Sequence, residues 1–299
     1  MSGRPTGMRR RMATALLVLA AGALTGCGES VQSAPNPQRP SPTHQVVEPD
    51  ALVAGRGMLM QKSADGPIEF CTGAVAESYP PQCGGPRIVG DVDWNVLQTE
   101  RSGGVTWTNG DVWGVGRFDA SGGEGGTFTL DRPLSQRPPE GHVAPSAQTP
   151  DFPQLCDDPY AGGGRPGAGS AEQQNALSIR LEEVDGYIGS WVSDGQSMFN
   201  VLVTGDASQV HKELRAIWPG GLCVEQRDAA TLKDVQAAQD ALAKALPGLL
   251  MTGGRGDGTL EVQVTLLDRA TLDKVLETVE PWLEPQDLRM ASTFQPLTG

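Results

Sequence analysis

SMFNVLVTGDASQVHKELRAIWPGGLCVEQ, residues 197–226, and TLEVQVTLLDRATLDKVLETVEPWLEPQDLRM, residues 259–290, are one pattern written twice. Each begins with an apolar strand of period two, in which Phe199, Val201 and Val203 correspond to Leu260, Val262 and Val264. Each continues into an amphipathic helix. Val210, Leu214, Ile217 and Trp218 share one helical face, and Leu272, Val275, Leu276, Val279 and Trp282 share another. Outward from these stretches the order repeats. Helix 172–184, strand pair 187–206, helix 207–218 and strand 222–226 are followed by helix 230–246, strand pair 249–267, helix 271–282 and strand 288–294. Residues 172–299 are therefore predicted to form an α+β domain of duplicated αββαβ units, each half packing its helices on one side of an antiparallel sheet.

Upstream, residues 55–134 read as short strands with turn signals between them. Gly55–Lys62 and Ile68–Ala76 are apolar runs split by Asp65-Gly66-Pro67, and Asp111–Phe118 and Thr127–Leu130 flank the glycine turn SGGEGG. About five strands in this span predict a small β-barrel of OB-like type, which Trp94, Trp107 and Trp113 would fill or cap. The fold class is thus mixed, a small barrel followed by an α+β domain. Residues 135–171, rich in Pro and Gly around Cys156, read as an interdomain linker, and residues 27–54, with SAPNPQRPSPTHQ, as a disordered tether.

The amino terminus carries an address. Arg9, Arg10 and Arg11 precede an apolar run from Met12 to Ala23, and Leu24-Thr25-Gly26-Cys27 follows. The apolar run is shorter than the about 20 residues that cross a bilayer, so residues 1–26 read as a signal peptide. Leu24–Cys27 resembles the lipobox of bacterial lipoproteins, which implies cleavage before Cys27 and lipid on its sulfur. Two acyl chains anchor firmly, at about 0.8 kcal/mol per buried methylene. The expected location is the extracytoplasmic face of the cell membrane.

Charge narrows the partners. Loss of residues 1–26 removes four arginines and no acid, leaving 19 basic against 36 acidic side chains, net −17. Nucleic-acid binding needs Lys and Arg against phosphates, so it is excluded, also for the barrel with its 6 basic and 10 acidic residues. With Cys27 lipidated, Cys71, Cys83, Cys156 and Cys223 remain, an even number in an oxidising compartment. Three pairings are open. Cys71 with Cys83 and Cys156 with Cys223 is preferred, because each pair then lies within or at the edge of one predicted domain. No short C-x2-4-C spacing supports a zinc site, and no cofactor is expected.

No catalytic constellation stands out. His44 falls in the tether, His142 in the linker and His211 on an amphipathic helix, none with a partner for nucleophilic chemistry. Asp91, Asp93 and Asn95 imitate the start of a calcium loop, but Val96 and Ser102 stand where glycine and glutamate are needed. Arg255-Gly256-Asp257 lies among glycines between two strands and reads as a turn, and the G-x-G-x-x-G of Gly162, Gly164 and Gly167 has no strand before it. The recognition candidate is Tyr79 with Pro80 and Pro81, an aromatic on a loop that a Cys71–Cys83 bond would close.

Cys71–Pro86, CTGAVAESYPPQCGGP, followed by Asp93-Trp94 and Gly104–Trp107, resembles an uncharacterised family of actinobacterial secreted and lipid-anchored proteins. The carboxy-terminal half, with Cys223-Val224, LKDVQAAQDAL and LEVQVTLLD, is loosely similar to the prosegments of secreted trypsin-like proteases. That second resemblance implies an inhibitor or folding chaperone of such proteases. The leading expectation is a cell-envelope lipoprotein with a non-enzymatic binding or organising role, held on the membrane by covalent lipid and contacting an envelope protein or glycan. A serine-protease regulator is the first alternative. A hydrolase of envelope polymers, which would need paired carboxylates in a cleft, is the second.

Overall fold

Strand β1 (Val53–Gln61) is the one around which the barrel closes. Its second half pairs antiparallel with β2 (Ile68–Cys71), from Met58 opposite Cys71 to Gln61 opposite Ile68. On its other edge, Val53–Gly57 pairs with β6 (Val112–Asp119). β2 passes to β3 (Arg87–Val89), β3 runs parallel to β7 (Thr127–Leu130), and β7 returns antiparallel to β6. The order β1-β2-β3-β7-β6-β1 is a closed five-stranded barrel of OB-like type. A further hairpin, β4 (Thr99–Ser102) and β5 (Val105–Thr108), lies outside the ring and joins β1 at Met60 opposite Trp107. This computed structural model describes residues 44–123, 125–142 and 152–297.

Period-two alternation sorts β1 into two faces. Val53 and Leu59 enter the barrel with Phe70, Ile88, Leu97, Val112 and Phe128. Met58 and Met60 point out and pack with Cys71 and Trp107 in a separate cluster, against which Cys83 and Val105 rest. Trp107 therefore covers the outside of the barrel instead of filling it. Trp94 packs partly against the interior cluster, and Trp113 packs tilted against His142 with ring centroids 4.4 Å apart.

The interior is completed from the far end of the chain. Helices α1 (Ala171–Glu183) to α4 and strands β8 to β13 follow the repeat that the sequence predicts. The first half comprises α1, β8 (Tyr187–Val192), β9 (Met198–Val203), α2 (Ala207–Arg215) and β10 (Gly221–Gln226). The second comprises α3 (Leu232–Ala245), β11 (Leu249–Gly254), β12 (Leu260–Leu266), α4 (Arg269–Val279) and β13 (Leu288–Pro296). Equivalent helices start alike. Ser170 and Thr231 close capping boxes with Gln173 and Asp234, and the Asp206 and Asp268 carboxylates accept from the first-turn N–H groups of α2 and α4.

The sheets are mixed, not antiparallel as the sequence reading expects. β8–β9 and β11–β12 are antiparallel, whereas β9–β10 and β12–β13 are parallel. The reason is the intervening helix: α2 and α4 each carry the chain back across the sheet, and a strand reached by such a crossover runs parallel to its neighbour. Phe199 and Leu260 face Leu222 and Leu288 in equivalent registers, and all four are buried. The duplication breaks at the second tryptophan. Trp218 is buried and donates from Nε1 to the Ser197 and Gly221 carbonyls, while Trp282 is 37% exposed and Leu283 enters the core.

β13 then leaves its own half. Its end pairs antiparallel with the start of β1, Gln295 opposite Ala54 and Pro296 opposite Val53, on the stretch that β2 is too short to reach. Phe294 enters the barrel, stacked on Phe128 (4.5 Å) and Phe118 (5.2 Å) and tilted against Phe70 (6.0 Å). Room for the ring comes from Gly55, where a Cβ would fall 2.5 Å from the Phe294 ring carbons. Two predicted boundaries shift accordingly. The tether drawn over 27–54 overlaps packed chain: Val47 is buried in the barrel cluster, its N–H donates to the Leu267 carbonyl (2.8 Å), and Val46 packs on the second half. The described residues fall within one compact unit, Pro37–Gly299, in which β13 joins the second half to the barrel.

Replacement of Phe294 by Ala is expected to cost about 3–5 kcal/mol, the range for deleting a buried aromatic ring. Chemical denaturation should show the barrel and the carboxy-terminal halves unfolding together in the parent protein; two separate transitions would contradict this packing.

Candidate functional site

The segment expected to be a loose linker supplies one wall of the site. Cys156 bonds Cys223 on β10, with Cα atoms 5.5 Å apart, and Pro159 accepts from the Leu222 N–H (2.8 Å). Residues 152–170 thus run as a strap along β10. Its second fastening is Arg215 of α2, whose guanidinium donates to the carbonyls of Pro159 (2.7 Å), Ala161 (3.0 Å), Trp218 (3.0 Å) and Gly220 (2.6 Å). The G-x-G-x-x-G stretch lies against this guanidinium, where a Cβ at Gly164 would fall 2.7 Å from Arg215 Nη1. A third fastening is Asn200, fully buried on β9. Its Oδ1 accepts from the Leu155 N–H (2.8 Å), and its Nδ2 donates to Ser193 Oγ and the Met198 carbonyl.

Between this strap, β8 and the β11–β12 turn lies a cleft of about 400 Å³. Phe152, Pro153 and Leu155 line it from the strap, Trp191 from β8, and Arg255 and Glu261 from the hairpin. Trp191 is oriented by its Nε1, which donates to the Pro153 carbonyl (2.8 Å), and Phe152 stands 6.4 Å from it, 52% exposed. The turn comes close to β8 because Gly189 has no side chain: a Cβ there would sit 2.3 Å from the Gly256 carbonyl oxygen.

Arg255-Gly256-Asp257 makes the tight turn that the sequence predicts. Arg255 N–H donates to the Thr259 carbonyl (2.8 Å) and Thr259 N–H to Asp257 Oδ1 (3.0 Å). The arm of Arg255 is drawn along the cleft by an ion pair with Glu261 (2.5 Å). Arg227, just beyond β10, is held similarly by Glu225 Oε1, through Nε (3.1 Å) and Nη2 (2.5 Å). The cleft therefore presents an aromatic wall, a glycine floor and guanidinium–carboxylate pairs. A larger cavity, about 550 Å³, opens between the end of α1 and the start of α3. Among the described residues that line it the one aromatic is Tyr187, whose hydroxyl is already bonded to Ser190 Oγ (2.7 Å) and whose pKa burial pushes up.

The β8–β9 hairpin next to Trp191 is tied by Asp194. Burial pushes its carboxyl up, but the N–H groups of Gln196, Met198 and Ser197, with the Ser197 hydroxyl, outweigh this and bring it to about 2 from the usual 3.8.

The recognition candidate Tyr79 lies elsewhere. The Cys71–Cys83 bond, Cα atoms 5.6 Å apart, closes its loop as preferred, and Ala76 and Gln82 bridge the base. Tyr79 is 73% exposed and meets Trp107 edge to face at 5.5 Å, with Pro80 and Pro81 half-buried behind it. Cys27 lies outside the described residues. The three histidines stay apart: burial and then Arg289 lower the pKa of His44, burial and then Arg215 lower that of His211, and His142 packs tilted against Trp113. Asp93 Oδ1 accepts from the Asn95 backbone and side chain, making an Asx turn where the calcium-loop imitation stands. Among the described residues no group of three or more His, Cys, Asp or Glu is placed to hold a metal, and no helix is long and apolar enough to cross a membrane.

Sequence reasoning missed the cleft because its lining comes from stretches far apart in the chain, 152–155, 191, 227 and 254–261, and because Arg255–Asp257 is also a good turn. The pairing of Cys156 with Cys223 is the signal that places Phe152 near Trp191.

The carboxyl of Asp194 lies below its unfolded value when folded, so its stabilisation is complete above about pH 4 and fades as pH falls towards about 2. Asp194→Asn is expected to lower the denaturation midpoint at neutral pH, with the gap to the parent closing across that window. A gap that stays constant down to about pH 2 would refute this role.

No protein-family model matches this sequence and no curated protein matches it, so the chemistry of the cleft stands on its own residues.

Proposed function

We propose that this chain is a cell-envelope lipoprotein, anchored through Cys27 on the outer face of the cytoplasmic membrane, that binds another envelope component in the Phe152–Trp191 cleft without transforming it. The observation that carries this reading is a pre-formed cleft whose ionisable groups are already committed. Glu261 is paired with Arg255, and Asp257 accepts from the Thr259 N–H. Pre-organised side chains lose little freedom on binding, which favours recognition. The wall is fastened by the Cys156–Cys223 disulfide and by Asn200, which accepts from the Leu155 N–H, so it is built before any ligand arrives.

A second reading, hydrolysis of an envelope polymer, has one observation in its favour: Asp257 and Glu261 both line the cleft. Against it, a catalytic carboxyl that must donate a proton is kept protonated by an apolar setting, and Glu261 faces a guanidinium. Binding is therefore the better account. Tyr79 on its closed loop offers a further contact surface on the barrel.

In cells, the parent chain is expected in the membrane fraction and Cys27→Ala in the soluble fraction. A photo-crosslinking phenylalanine analogue at position 152 should give adducts with envelope material. Absence of adducts at 152, with Cys27→Ala still in the membrane fraction, would contradict both halves of the proposal.

A further inference from the structure

The geometry points to a neutral saccharide, one or two rings of a glycan chain, as the ligand of the Phe152–Trp191 cleft. This rests on the binding role proposed above and names its ligand class. The first argument is the aromatic wall. Trp191 Nε1 is occupied by the Pro153 carbonyl, so the indole offers apolar face rather than hydrogen-bonding capacity, and Phe152 beside it is half exposed. Sugar rings present flat C–H faces that pack on such rings.

The second argument is charge. The lining carries two guanidiniums, Arg227 and Arg255, and two carboxylates, Asp257 and Glu261, and each guanidinium is already paired with a glutamate. A balanced lining selects neither sign, and the chain without its first 26 residues, at net −17, repels anions over a longer range. A purely apolar ligand would strip water from these pairs without replacing its hydrogen bonds. Hydroxyl groups both donate and accept, so a polyol satisfies carboxylates and guanidiniums together.

The third argument concerns shape. A volume of about 400 Å³ falls within the range of small-molecule sites. An extended peptide adding to β8 would need that strand's open edge. The cleft lies instead over a face of β8, the one that Gly189 and Trp191 share and that the Gly256 turn covers, so it offers side chains to a ligand and no strand edge for a peptide to join.

The test is titration calorimetry of the full chain, in a detergent without a sugar headgroup, with chitotetraose, maltotetraose and mannotetraose, and with tetragalacturonate as an anionic comparison. At least one neutral tetrasaccharide is expected to bind, with an affinity that changes less than about twofold between about 50 and 500 mM NaCl. Phe152→Ala, at an exposed position that leaves the fold intact, should weaken it about three- to tenfold, as should Trp191→Ala, while Tyr79→Ala should not. No binding of any neutral sugar up to about 10 mM, binding of tetragalacturonate alone, or parent-like binding by Phe152→Ala would each overturn the proposal. Crosslinking at position 152 without sugar binding would leave a binding role and reject the ligand class; failure of both would reject the two together.

Discussion

The ring of Phe294 inside the barrel is the constraint on which the rest of the structure depends. It stacks on Phe128 and Phe118, touches Phe70, and sits over a glycine that cannot be anything larger without displacing it. An aromatic core of this kind is a large share of what a barrel of five strands, three of them only three or four residues long, can bury. Because β13 also pairs with β12, a disturbance of the second half reaches β1 through continuous sheet. Val46 and Val47 reinforce the joint from the other end of the folded chain, packing on the second half and the barrel respectively.

Duplication explains the remaining architecture, and its departures make the cleft. The first half has no barrel to complete, and its three-stranded sheet is bordered by the strap instead. Residue 200 on β9 and residue 261 on β12 are equivalent by repeat, yet one is a buried Asn that fastens the strap and the other a Glu that orients Arg255. Trp218 is covered where Trp282 is not, since a Cβ at Gly169 of the strap would lie 2.4 Å from the Trp218 ring and the second half has no strap. The two halves meet with an aromatic wall from one and a paired Arg–Glu from the other.

Much of this was legible in the sequence where local physics decides it. Period-two alternation placed Thr127–Leu130, the matched apolar faces revealed the repeat, and the expected domain limits favoured the two disulfides that form. What was hidden has a common cause, dependence on partners far along the chain. Nothing near Phe294 marks it as a barrel residue rather than part of its own half. The strap reads as linker because backbone carbonyls around Arg215 and one disulfide hold it, and neither leaves an apolar pattern. Parallel pairing was legible in the strand–helix–strand order, because a helical crossover returns the chain parallel, but alternation alone reports which face is buried and not the direction of the neighbour.

The central claim is that barrel and duplicated halves are one folded body joined at β13. Native-state hydrogen exchange across low denaturant concentrations tests it most directly, because it reports the opening free energy of each strand separately. The account predicts that amides of β1 at Val53–Gly57 and of β13 at Phe294–Gln295 open with the same free energy and the same denaturant dependence. Exchange of β13 at markedly lower free energy, with β1 and β6 still protected, would show a barrel that stands without Phe294 and would contradict it.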